Sequence, residues 1–125
     1  MEKGKIYKVD KGKINIDYYD HYFAFLYDHK DFDYFIGVML TKCKKYSDNC
    51  PMQKHHFKSK DYDDNEYSFQ FNNTVFARQL LIKDKTLPIN GPFGELTEEG
   101  LQFIEETTKD SDPLTWPEAI KKINS

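Results

Sequence analysis

Two continuous apolar runs, His21–Tyr27 (HYFAFLY) and Tyr34–Thr41 (YFIGVMLT), stand with only six residues between them. Each is short for a helix and is bounded by polar residues, which reads as a strand buried on both faces. In the second run Tyr34, Ile36, Val38 and Leu40 line one face, and Phe35, Gly37, Met39 and Thr41 the other. With the break at His29–Asp31 between them, the pair predicts a hairpin at the centre of a sheet. Whatever surrounds this hairpin must cover it on two sides. No run is long enough for a transmembrane helix, and no basic-then-apolar leader opens the chain, so the expected compartment is cytoplasmic.

The remaining sequence up to about residue 82 supports more strands. Gly4–Val9 (GKIYKV) alternates, Asp10-Lys11-Gly12 supplies turn chemistry, and Ile14–Asp17 follows. Residues 55–59 read as a short strand, and Asp61–Glu66 (DYDDNE) as a solvated turn. Tyr67–Phe71 (YSFQF) alternates with Tyr67, Phe69 and Phe71 on the core side. Asn72-Asn73 has the chemistry of a tight turn, and Thr74–Ile82 reads as one returning strand. The core this requires is aromatic: 9 Tyr, 10 Phe and 1 Trp make up 16% of a 125-residue chain, and each ring buries about 150–250 Å². Closely spaced short strands in so small a chain favour a closed or half-closed barrel, which removes exposed edges.

Pro88, Gly91, Pro92 and Gly94 read as a break before a change to helix. Thr97-Glu98-Glu99 places a hydroxyl cap before acidic residues, and Leu101, Ile104 and Thr108 continue one face of a helix at 97–109. Thr115-Trp116-Pro117-Glu118 is a capping box that opens a second helix at 115–123, with Trp116 as a packing anchor. The fold class expected is mainly β: one domain over 1–125, with a small barrel over about 4–90 and one or two C-terminal helices.

The net charge of −3 hides a basic block. Residues 42–60 hold Lys42, Lys44, Lys45, Lys54, Lys58 and Lys60 against Asp48 alone, and such a block serves either as an anion-binding face or as a soluble loop. Cys43 and Cys50, followed by His55 and His56, invite a zinc reading. The cysteines are spaced too widely for a zinc knuckle, and adjacent histidines on a strand point to opposite faces, so no metal and no cofactor is expected.

Few residues can carry chemistry. The chain has no Gly-rich phosphate loop, no H-E-x-x-H and no G-x-S-x-G. In a hairpin the start of one strand lies beside the end of the next, which puts His21 and Thr41 at one rim. Beyond it come Lys42, Lys44, Lys54, His55 and His56, and Tyr22 as a ring on which a base can stack. An imidazole, a hydroxyl and ammonium groups are the parts needed for metal-free phosphodiester cleavage. Each residue also has a plainer reading. A histidine at a strand start is often satisfied by a backbone carbonyl, Thr is a good strand former, His55 and His56 suit a surface, and Tyr22 suits rim packing.

The order of segments resembles the MazF/PemK toxin family. The matching pieces are Gly-Lys-Ile-Tyr-Lys-Val-Asp at 4–10, His-Tyr-Phe-Ala-Phe-Leu at 21–26, Phe-Ile-Gly-Val-Met-Leu-Thr at 35–41 and the stretch Ala77–Glu106. The resemblance implies an SH3-like β-barrel with terminal helices. It also implies a metal-independent endoribonuclease that leaves a 2′,3′-cyclic phosphate and a 5′-OH, works as a homodimer and is neutralised by a cognate antitoxin. The family's Arg-Pro is replaced here by Asp20-His21-Tyr22-Phe23, and its Thr-Ser by Thr41-Lys42. On this reading Thr41 is carried over and His21 stands in for the arginine as the catalytic acid/base. Lys42, Lys44, Lys54, His55, His56 and Tyr22 bind substrate. Two alternatives stay open: a barrel that binds nucleic acid or a protein without cutting, and a toxin acting on a protein target.

Overall fold

In the computed structural model, described over residues 2–9, 21–28, 34–42, 49–84 and 89–123, the two apolar runs are adjacent antiparallel strands. The side chains of Val9, His21, Asp84, Trp116, Pro117, Ile120 and Ile123 lie outside this description, as do the expected turn at 10–12 and strand at 14–17. Strand β1 (Lys5–Val9) pairs with β2 (His21–Asp28), and β2 with β3 (Tyr34–Thr41). The β2–β3 register shifts between Phe25 and Tyr27, a bulge that bends the hairpin.

Both faces of the hairpin are buried, as its composition requires. On one side Ile6, Ala24, Leu26, Ile36, Val38 and Leu40 join Met52, Phe57, Phe69, Phe76 and Ile104 in the main core. On the other, Tyr7, Phe23, Phe25, Phe35 and Leu81 pack under Ala119. Phe23, Phe35 and Phe76 are fully buried, and burying each such ring contributes about 1.5–3 kcal/mol. Gly37 makes the second layer possible. A Cβ there would collide with the Ala24 carbonyl oxygen and come within 2.5 Å of the Phe23 ring.

The expected single strand at 74–82 is two. Strand β5 (Val75–Phe76) pairs with Leu40 and Thr41, whereas β6 (Leu81–Asp84) pairs with residues 34–37 of the same β3. Between them the chain leaves the ladder because Gln79 is buried and bonded elsewhere. Its Nε2 donates to the carbonyls of Leu80 at 3.0 Å and Asp112 at 2.6 Å, and its Oε1 accepts from Lys122 at 3.1 Å.

A second correction concerns the Gly- and Pro-rich stretch. Gly91, Pro92 and Gly94 lie inside strand β7 (Ile89–Glu95), which pairs with β1; Pro88 lies outside the described residues. The β1–β7 register is irregular between Ile6 and Lys8, opposite Gly91–Phe93. Proline is tolerated at such a bulge on an outer strand, and Gly91 supplies the positive φ of +124°.

The seven-stranded antiparallel sheet runs β4 (Cys50–Pro51), β5, β3, β2, β1, β7, with β6 beside β3. The chain leaving β4 crosses to β7. The Lys58 N–H donates to the Glu95 carbonyl at 2.9 Å, the Phe69 N–H donates to the Phe93 carbonyl at 2.8 Å, and Phe57 bridges Leu96. The sheet therefore curls into a barrel-like shape. Tyr67–Phe71 is no strand of its own, although Tyr67 and Phe69 are buried as the alternation predicts. Residues 54–56 form a 3-10 turn where a strand was expected.

Both helices start where their caps predict. Helix α1 (Glu98–Thr108) opens with the Gly100 N–H donating to Thr97 Oγ1 at 3.1 Å, and it buries Ile104 and Thr108. Helix α2 (Trp116–Ile123) opens with the Thr115 N–H donating to Glu118 Oε1 at 3.1 Å. Among the described residues no helix is long and apolar enough to cross a membrane.

Candidate functional site

The β2–β3 register sets what meets at the rim of the hairpin. Tyr22 stands opposite Leu40, so His21 and Thr41, one residue further along each strand, lie at the same end. On the outer side Thr41 pairs with Val75, which in turn pairs with Pro51. A cavity of about 210 Å³ opens here, lined by Tyr22, Leu40, Thr41, Lys42, Phe69, Gln70 and Thr74. Of the expected site residues, the fold gathers Tyr22, Thr41 and Lys42 around this cavity. His21 is placed next to it along the strand, with its side chain outside the description, and Lys44 lies outside the described residues altogether.

Tyr22 is a wall of the cavity. Its ring sits edge-on to Phe69 at 4.8 Å and to Phe93 at 6.1 Å, and the Lys8 ammonium lies 5.8 Å from its centroid. Lys42 is exposed at the cavity. Gln70 and Thr74 went unread in the sequence, because no motif marks an amide and a hydroxyl on either side of an Asn-Asn turn. The Gln70 amide nitrogen donates to the carbonyls of Tyr67 at 2.8 Å and Ser59 at 3.3 Å. Thr74 is buried, and its hydroxyl oxygen accepts from the Asn72 N–H at 3.3 Å.

Lys54, His55 and His56 do not line this cavity. They form the 3-10 turn packed against α1. His55 is exposed, with Nε2 3.4 Å from a Glu99 carboxylate oxygen. His56 is only 7% exposed. Its Nδ1 accepts the Gln53 N–H at 3.0 Å and its ring stacks on Phe103 at 4.8 Å. Burial, helped by the neighbouring His55 and opposed by Glu99, lowers the pKa of His56 below the ordinary histidine value. It is a neutral packing residue rather than a cation at a surface.

Cys50 is buried, and the Arg78 Nε–H points to its Sγ at 3.0 Å; Cys43 lies outside the described residues. Among the described residues no group of three or more His, Cys, Asp or Glu is placed to hold a metal ion.

A broader groove of about 1050 Å³ lies along Lys5, Lys58, Tyr67, Phe93 and Glu95. On its floor Glu95 receives Tyr67 Oη at 2.8 Å and Lys58 Nζ at 2.9 Å. Burial pushes the Glu95 carboxyl up, but these two hydrogen bonds and the charges of Lys58 and Lys5 outweigh it and hold the group below its ordinary value. Burial first, and then the hydrogen bond to Glu95, push the Tyr67 phenol well above its ordinary value. Lys58 is paired with Glu95 and Lys5 with Glu2, and the groove as a whole is lined by three lysines against five carboxylates, so it offers no basic face to a phosphate.

No protein-family model matches the chain, and no curated protein or solved structure matches it either.

Proposed function

We propose that this protein acts on single-stranded RNA at the Tyr22–Thr41–Lys42 cavity, as a metal-independent endoribonuclease. The observation that carries the reading is that cavity: an aromatic wall, a hydroxyl and an ammonium group meet at the rim of the hairpin, directly beside the strand position of His21. Lys42 attracts the phosphate, and Thr41 donates a hydrogen bond to it. The His21 imidazole takes the proton of the ribose 2′-OH. The 2′ oxygen forms its bond to phosphorus as the bond to the 5′ oxygen breaks, and that oxygen takes a proton from solvent water while the imidazolium of His21 returns its proton to solvent. The products are a 2′,3′-cyclic phosphate and a 5′-OH. The resemblance to MazF/PemK toxins adds a homodimer and a cognate antitoxin to the same proposal.

A second reading, an SH3-like barrel that binds nucleic acid or a protein partner without cutting, is favoured by one observation. His55 and His56 sit against α1, which among the described residues leaves His21 as the one imidazole position beside the cavity, whereas acid–base cleavage uses a proton acceptor and a proton donor. The test is incubation of the purified protein with single-stranded RNA in EDTA, followed by mapping of 5′ ends. Cleavage to cyclic phosphate that falls at least about 100-fold in His21→Ala supports the nuclease. RNA left intact by wild type, yet bound in a salt-sensitive way, replaces it with the second reading.

A further inference from the structure

We infer that Lys8 forms a second phosphate subsite beside the proposed cavity: Lys42 takes one phosphate of an RNA strand, and Lys8, on the other side of β2, takes the next. This rests on the RNA reading above and adds the length of strand that the site engages, successive phosphates rather than a single one.

Tyr22 on β2 stands between Lys8 of β1 and Leu40 of β3, so the three form one row across the sheet. Residues paired in this way present their side chains on the same face. Tyr22 and Leu40 line the cavity together with Lys42. Lys8 does not line it; its ammonium group lies over the Tyr22 ring, 5.8 Å from the centroid. Neighbouring strands are about 4.8 Å apart, which puts Lys8 and Leu40 roughly 10 Å from each other. A lysine carries its charge on a flexible four-carbon stem, so two lysines at that spacing can follow successive phosphates of one strand.

Lys8 is marked out by a charge that nothing in the fold offsets. Lys3, Lys5, Lys58, Lys60 and Lys109 each meet a carboxylate. Among the described residues no carboxylate pairs with Lys8 or with Lys42. The residues beside Lys8 in the register, Tyr22 and Asn90, are both neutral. Lys8 is also half-buried, unlike the exposed Lys42. Its contact with the ring steadies the ammonium group without neutralising it. Less side-chain freedom is then lost when an anion binds. Two such cations on either side of one aromatic ring suit a polyanion better than a lone phosphate.

The test is binding of 2′-O-methyl RNA, which lacks the attacking hydroxyl, as a dinucleotide with one phosphate and a trinucleotide with two. Wild type is expected to bind the trinucleotide more tightly, with a salt slope steeper by about 0.7, the share of one phosphate on a single strand. Lys8→Met keeps most of the stem and removes the charge, so it should erase that difference and leave the dinucleotide unchanged. Lys8→Arg should restore the difference, and Lys42→Met should weaken both oligomers. Lys121→Met, the same loss of charge at an exposed position on α2, should alter neither. A trinucleotide bound by Lys8→Met as by wild type, or weakened equally by Lys121→Met, overturns the second subsite and leaves the RNA reading in place. Failure of both oligomers to bind wild type overturns both.

Discussion

The imidazole of His56 lies on the ring of Phe103, with centroids 4.8 Å apart and planes 16° from parallel. Together with the Gln53 N–H bonded to Nδ1, this ties the 3-10 turn at 54–56 to α1 while the imidazole is neutral. Protonation removes the acceptor and places a charge among buried groups close to the N-terminus of α1. Its nearest charged neighbours, His55 and Glu99, act in opposite senses.

The pH dependence follows from that direction. A histidine whose folded pKa is lowered contributes stability that is present above its unfolded value of about 6.5 and is lost as the pH falls through the folded one. Denaturation curves should show stability declining from about pH 6.5 downward. His56→Phe, which keeps the stacking and cannot titrate, should remove that part of the slope. An unchanged slope would show that another group is responsible.

Tyr67→Phe leaves the Glu95 carboxylate with Lys58 as its side-chain hydrogen-bond donor. The expected loss is about 1–2 kcal/mol at neutral pH. The Glu95 carboxyl is held below its ordinary value, so this contribution is present above about pH 4.5 and fades as the pH falls. Urea denaturation at pH 7 and pH 3 checks both parts.

Gly37→Ala drives a methyl group into the Ala24 carbonyl oxygen and the Phe23 ring. Since both are central in the hairpin, a loss of about 3 kcal/mol or more is expected. A thermal melt within a degree of wild type would contradict the packing described for the second layer.

Gln79→Leu removes the donor to the Asp112 carbonyl and the acceptor for Lys122. A loss of about 1–3 kcal/mol is expected. Hydrogen exchange should accelerate in α2 and in the turn before it ahead of the β2–β3 hairpin, because Gln79 joins Asp112 and Lys122 to the strand break, alongside the backbone bonds of Leu114 to Leu80 and Ile82.

What the sequence reveals of this fold depends on how local each cause is. The β2–β3 hairpin is legible because both runs are apolar on both faces, and the caps at Thr97 and Thr115 because their partners stand three residues away. Strand β7 is not, since Gly91 and Pro92 are acceptable there only through the bulged pairing with the distant β1. The break between β5 and β6 is hidden for the same reason: Gln79 is polar in any reading, and the partners that hold it come from the distant residues 112 and 122. At the candidate site, the register places Thr41 and Tyr22 without help from the rest of the chain. The burial of His56 against Phe103 is visible only after α1 has packed.

The closure of the sheet also bears on how copies of this chain can meet. An outer strand with idle amides and carbonyls is a template on which a neighbouring molecule can lay its own backbone, the first step towards fibrils. At Phe93 and Glu95 that template is already taken by the N–H groups of Phe69 and Lys58. A second copy of the chain would therefore find the carbonyls of Phe93 and Glu95 on β7 already occupied.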